Sequence, residues 1–336
     1  MPSNPTKHIR KLGSIKYTAG GRESLELDKS GVLLSLLLRI RFTVTNGATG
    51  PTGALFQTLA RIIQRLEIMA GGRDVVQSIP GYFLALRAQY EAEGIPALGM
   101  GATVVTTGSA ATTYDLSLPV PFTLPLGRRE DDTALDTTGL SQLSAIITWA
   151  RSDCSDLFTT PNGATISNVS CDVEGTYIAN PMRNQNGMAV SSKSGKPYLV
   201  RHLDYQEVPI TATNNSNAVI LDSRTGLVVT SFLFAQLADD VGNDNIINSM
   251  RMEAASFVYS LRDAQPIRAE NVRNLRLFNG YVPGALYLDP RIDGSVINAI
   301  TTSELEGDLK VVLDVTKQGT TCKLGIQREA LRPLIR

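Results

Sequence analysis

Apolar positions along this chain recur in a fixed series of strand-like and helix-like runs, and the series occurs twice. One strand-rich segment extends from about Leu25 to Ile178, the other from about Val208 to Gln327. In the first, Gly31 to Thr45 reads as a long strand. It is aliphatic through Leu38, and then Ile40, Phe42 and Val44 alternate with Arg39, Arg41 and Thr43. That period of two puts apolar side chains on one face and polar ones on the other. Gly226 to Leu237 takes the same place in the second segment. A strand pair follows in each: Ile62–Met69 with Asp74–Ile79, and Ile246–Glu253 with Ser256–Leu261.

Proline then opens a helix in each half, Pro80 ahead of Tyr82–Glu93 and Pro266 ahead of Ile267–Arg276. Proline suits a first helical turn because that amide lacks an intrahelical partner. Phe83, Leu86 and Tyr90 fall at helical spacing and Gly94 ends the first helix. The second helix has a thinner stripe of Ile267, Val272 and Leu275. Tyr114–Val120 and Gly284–Pro290 return to alternation, and Leu140–Trp149 matches Leu305–Asp314. The shared order predicts an internally duplicated, all-β chain.

With 336 residues there is enough chain for two domains with a core each. Charged residues make up only 19%, which suits a chain that buries surface against copies of itself. Lys plus Arg and Asp plus Glu balance at 32 each, so no global field draws in nucleic acid. The longest apolar run, Val32–Leu38, is broken by Ser35 and ended by Arg39, well short of the roughly 20 residues of a spanning helix. The N-terminal basic residues have no apolar core behind them, so no secretory signal is expected. Three cysteines, Cys154, Cys171 and Cys322, lack metal-ligand spacing and read as reduced thiols in or beside strands. A Cys154–Cys171 bridge stays open at this point.

Loops punctuate the strands. Asn46–Gly53 is a turn region set by glycine and proline. Glu93–Thr113 is rich in Gly, Ala and Thr and has no counterpart of equal length in the second half. Asn180–Pro197 reads as a linker, and Thr211–Asn217 as a polar loop or edge. The resulting plan is a basic N-terminal arm at 1–24, a first unit at 25–180, a linker at 181–200 and a second unit at 201–336 with a basic C-terminal tail.

Catalytic chemistry is thinly represented. His8 and His202 are the only histidines and lie in different regions, which argues against a Ser/His/Asp or Cys/His site and against zinc. Gly99-Met100-Gly101 lacks the third glycine of a dinucleotide loop. Ser194-Gly195-Lys196 is followed by Pro197 instead of Ser or Thr, and Val190 replaces the first glycine of a phosphate loop. Glu130-Asp131-Asp132 after Arg128-Arg129 reads as a solvated loop or a subunit contact. Asp239, Asp240 and Asp244 supply enough oxygens to be a weak calcium candidate, but a surface turn fits their spacing better. The reading is therefore of no enzyme and no cofactor. Lys7, Arg10, Lys11 and Lys16, with His8 and no acid among residues 1–16, suit contact with phosphate, as lipid headgroup or nucleic acid, or a solubilising tail. Arg328 to Arg336 is similarly basic apart from Glu329.

Leu25-Glu26-Leu27 through Thr45, Ile62–Ser78 with Pro80-Gly81, Leu116–Leu126 and Leu140–Trp149 together carry a family likeness. Their order resembles the double jelly-roll major capsid proteins of tailless icosahedral bacteriophages, a lineage that includes the adenovirus hexon. The resemblance implies two tandem eight-stranded jelly-roll β-barrels, each with a short helix, standing upright in a shell. It implies homotrimers of pseudo-hexagonal outline, made in the host cytoplasm and located in the virion, with neighbouring capsomers and penton or minor capsid proteins as partners. Many members cover an inner lipid membrane, which the basic arm could approach. Such a trimer would bury more than roughly 2,000 Å² per interface. On this reading Glu93–Thr113 and Asn180–Pro197 lie at subunit contacts or exposed ends. Removal of residues 1–16 would leave the fold intact and impair shell or membrane association. Two other classes remain: a carbohydrate- or receptor-binding β-protein such as a viral spike, and a jelly-roll glycoside hydrolase.

Overall fold

Sustained alternation becomes strand. In the computed structural model, Ile40, Phe42 and Val44 are buried while Arg39 and Arg41 between them face solvent. The structure describes residues 5–102, 104–124, 133–192, 194–223, 225–255, 257–277, 280–290 and 299–332. The Glu130-Asp131-Asp132 segment with Arg128-Arg129, and the chain after Arg332, lie outside the described residues.

Sixteen strands build two barrels. The first contains β1 (Thr6–Ser14), β2 (Arg22–Glu26), β3 (Val32–Thr45), β4 (Ile63–Ala70), β5 (Asp74–Ile79), helix α1 (Gly81–Glu91), β6 (Ala111–Pro121), β7 (Leu143–Trp149) and β8 (Thr165–Ala179). The second contains β9 (Val200–Pro209), β10 (Asn214–Asp222), β11 (Val228–Ala238), β12 (Ile247–Ala254), β13 (Phe257–Asp263), helix α2 (Ala264–Asn274), β14 (Ala285–Leu288), β15 (Leu309–Val315) and β16 (Cys322–Arg332). Short extra strands, such as Thr52–Ala54 paired with Phe158–Thr160, decorate the ends.

The first barrel packs a sheet of order β1-β8-β3-β6 against one of order β2-β7-β4-β5. The second repeats this as β9-β16-β11-β14 against β10-β15-β12-β13. That is jelly-roll order twice over. The repetition extends to register. The Ile15 amide donates to the Cys171 carbonyl and the Ile210 amide to the Cys322 carbonyl, so the two cysteines occupy matching places. Each barrel also has a bulge where its fourth and fifth strands meet, between Ile68 and Met69 in one and between Met252 and Glu253 in the other. A bulge conserved between repeats marks a designed bend of the strand. Each barrel encloses its own apolar core, around Phe42, Leu66, Leu118 and Trp149 in the first and around Phe232, Phe234, Met250 and Leu313 in the second.

Several sequence expectations need correction. The described part of the expected arm, residues 5–24, is largely built into the sheets. Thr6–Ser14 hydrogen-bonds along β8 from Thr6–Ala179 to Ser14–Asp172, and Arg22–Glu26 pairs with β7. The basic C-terminal tail is likewise a strand through Arg332, paired with β9 on one side and β11 on the other. The first repeat thus begins one strand earlier than the expected start at Leu25, whereas the second begins at Val200, next to the expected boundary at 201. The second helix starts at Ala264, which places Pro266 inside its first turn. The expected linker packs on the first barrel at Ala189, which is buried with Val32 and Ala134 and whose amide donates to Asp136.

Because β1 completes a ladder and Ile15 is buried beneath it, deletion of residues 1–16 is expected to destabilise the chain. The loss should be about 2 kcal/mol or more, visible as a lower urea midpoint. An unchanged midpoint would restore the arm interpretation.

Candidate functional site

The largest feature built from both repeats is the seam between the barrels. Strand β9 lies beside β5 in parallel, with Leu203 opposite Gln77, so one sheet continues from the first barrel into the second. Helix α1 covers the junction. Its Leu84 and Ala85 enter the first core, while Tyr82, Phe83, Leu86 and Tyr90 pack on Leu233, Ala235, Leu237 and Tyr287 of the second barrel. Two glycines permit this approach. A Cβ at Gly81 would lie 2.2 Å from the Ala60 carbonyl oxygen, and one at Gly325 of β16 would lie 2.6 Å from the Phe83 ring. The Tyr82 and Tyr205 hydroxyls meet at 2.9 Å, and burial pushes the Tyr82 phenol up to about 12.

Four charges converge in this seam: buried Arg87 and half-buried Glu91 of α1, buried Arg201 of β9 and buried Glu329 of β16. Arg201 is 0% and Glu329 1% exposed. Arg87 Nη1 donates to Glu329 Oε2 at 2.9 Å and Arg201 Nε donates to the same oxygen at 2.7 Å. Arg201 also pairs with Glu91 and donates to the Thr123 carbonyl at 3.0 Å. The hydroxyls of Thr230 and Ser231 donate to the second oxygen of Glu329. Two cations and two anions cancel, which is the condition for holding charge in a low-dielectric interior. A second link runs from Asp74 of β5 to Arg332 of β16, whose Nε also donates to His202 Nε2 at 2.8 Å. Burial, then the Arg332 cation, holds the His202 imidazole down to about 4, so it is neutral near pH 7.

These groups are arranged for cohesion. None of the four network side chains lies open to a substrate, and among the described residues no group of three His, Cys, Asp or Glu side chains could hold a metal ion. The three cysteines are free and buried, and burial pushes Cys154 and Cys171 up to about 12. No helix among the described residues is long and apolar enough to cross a membrane.

The sequence candidates disperse. Asp239 accepts the Thr320 and Thr321 amides, and those amides, that of Thr321 foremost, hold its carboxyl below the usual range. Asp240 pairs with Lys323 at 2.9 Å and Arg61 at 3.5 Å. Asp244 pairs with Arg268 at 3.3 Å and accepts the Gly284 amide. Each carboxylate is therefore answered by a cation or by amides. Of the basic residues, Arg10 bonds Asp28 at 2.6 Å, Lys11 pairs with Asp172 at 3.2 Å, and Lys7 and Lys16 are exposed. The Glu93–Thr113 loop covers the β6 edge: the Ser117 amide donates to the Leu98 carbonyl, and Asn46 holds the Val105 carbonyl. Sequence reading missed the seam charges, because Arg87 and Glu329 are 242 residues apart.

No protein-family model matches this chain, and no curated protein matches it. Solved structures do. The chain is similar to the STIV MCP, with TM-score 0.76, 12% identity and coverage of 98% of this chain and 97% of that one. It is similar to the major capsid protein of bacteriophage PM2, with TM-score 0.58, 12% identity and 98% of each chain covered. Similarity to the Faustovirus major capsid protein has TM-score 0.61 and 9% identity, over 98% of this chain and 90% of that one. At such identities the likeness is one of fold, and the fold is the double jelly roll.

Replacing Glu329 by Gln leaves two buried guanidinium groups facing one carboxylate and should cost about 3–5 kcal/mol in urea unfolding. His202 has a folded pKa below its unfolded value. Its contribution is therefore fully present above about pH 6.5 and is lost as pH falls towards 4. Wild type should lose roughly 3 kcal/mol more than His202→Gln over that window, measured as the difference between their pH–stability curves.

Proposed function

We propose that this chain is the major capsid protein of an icosahedral virus and acts as a structural block of the virion shell. The observation that carries the reading is the tandem: two jelly rolls of identical strand order set side by side and locked by a continuous sheet and a shared helix. A lone jelly roll serves many functions. Two fused rigidly along one edge make a wide plate with two similar outer faces, and three such chains provide six similar positions around an axis. Solved major capsid proteins match this chain over nearly all its length.

The chemistry of the molecule agrees with that role. The charges of its seam are neutralised within it, its three cysteines are buried, and only 19% of its residues are charged. Neighbouring capsomers are the partners this shape calls for, with penton or minor capsid proteins at the vertices and an inner membrane, where one exists, beneath. Size-exclusion chromatography with light scattering on the purified chain should give a three-chain mass or particles built from it. A monomer at every concentration would count against the reading.

A further inference from the structure

The intrachain seam has only half its counterparts in use. Strands β5 and β9 meet, but their equivalents in the other repeat, β13 and β1, end their sheets with no strand beside them among the described residues. Open strand edges normally pair or are protected. Exposed apolar side chains gather on these two: Ile9 of β1 is 70% exposed, and Leu261 and Val258 of β13 are 69% and 47% exposed.

Register makes the equivalence specific. Counting from the matched pair Cys171 and Cys322, Ile9 opposite Thr176 takes the place of Tyr205 opposite Gln327. Tyr205 is the β9 residue whose ring packs on Tyr82 and Phe83 of α1, with centroids 6.4 and 5.3 Å away. Ile9 thus stands bare at the place where a helix covers Tyr205. Counting from the matched bulges, Leu261 takes the place of Ser78 on β5. The helices align from their caps, Pro80 and Asp263. Leu84 and Ala85 then match Ile267 and Arg268, all buried on their own barrels. Phe83, Leu86 and Arg87, which face the second barrel, match Pro266, Ala269 and Glu270, of which the first two are exposed and Glu270 is half-buried.

The substitutions between the two sets compensate in volume. Phe83 rests on Gly325 within the chain; Pro266, a smaller residue, would face Glu174, the register match of Gly325. The ionic link is not repeated: Arg87 meets the anion Glu329, whereas Glu270 is paired with Arg262 of β13, and Lys11 and Arg39 on the opposing sheet face are paired with Asp172 and Glu174.

We propose that β13 and the outward face of α2 of one copy dock on β1 and its sheet in a second copy, in the way β5 and α1 dock on β9 within the chain. The proposal rests on the capsid reading and gives it a surface. Such an interface is head-to-tail, because the two patches differ, and head-to-tail contacts form a ring when their rotation closes. Each ring junction between chains then imitates the junction within them, and the edge ladder is extended by strand addition.

The test uses the full chain with Ile9→Arg and, separately, Leu261→Arg, both at exposed positions where the monomer fold tolerates charge. Light scattering should show the wild-type trimer reduced to one-chain mass in each variant, with native circular dichroism. An equimolar mixture should form a two-chain species, since one intact β1 and one intact β13 remain. Trimers that persist in both variants, or a mixture that stays monomeric, would overturn this docking and leave the capsid reading standing. A monomeric wild type would overturn that reading and the docking with it. Amide exchange on the unmutated chain gives an independent check: the outward amides of 6–14 and 257–263 should be protected in the trimer and exchange freely once it is diluted apart. Free exchange in the trimer would rule the edges out.

Discussion

Two barrels joined along one parallel strand contact would be free to rock about it; α1 removes that freedom. Only Leu203 and Gln77 are in register between β5 and β9, so the sheet alone fixes little. The helix adds a second line of contact displaced from the first, with an aromatic row on one side and Leu84 and Ala85 on the other. Two non-coincident contacts define an angle. The relative setting of the two barrels depends on that angle, so α1 is the element on which the molecule's geometry turns.

Charge placed inside the same junction works on specificity more than on stability. An apolar patch of the size of the Tyr82–Tyr90 row would tolerate sliding, because apolar contact is non-directional. Arg201 and Arg87 converging on one carboxylate, with Thr230 and Ser231 filling its other oxygen, have a single arrangement in which every group is satisfied. A shift by one residue would strand a buried charge. Retaining ionic groups where hydrocarbon could pack is intelligible if the angle between barrels is the property under selection.

Sequence reading recovered the elements that bury one face and turn the other to water. Ile40, Phe42 and Val44 declare β3 because the period is written in residue type, and the Pro80 and Pro266 turns declare both helices. It missed β1 and misread β16 for opposite reasons. Strand β1 is an edge whose residues Thr6 to Lys11 are exposed on both faces, so no alternation marks it. Strand β16 is central, and its Arg328, Glu329 and Arg332 look like a solvated tail until the partners Asp222, Asp204, Arg201 and Asp74 are brought from far away in sequence. The seam was illegible for that second reason: its charges come from four elements, and nothing local distinguishes Arg87 from a surface arginine of an amphipathic helix.

The pairing of β1 with β8 bears on synthesis. Thr6 finds Ala179, so the first strand leaves the ribosome and waits for roughly 170 further residues before its ladder can form. At about 5–20 residues per second that delay is on the order of ten to thirty seconds. Throughout it the nascent segment must stay unpaired while strands of other chains emerge nearby. Lys7, Arg10 and Lys11 are well suited to that interval, since like charge keeps two waiting copies apart until β8 arrives to claim each one.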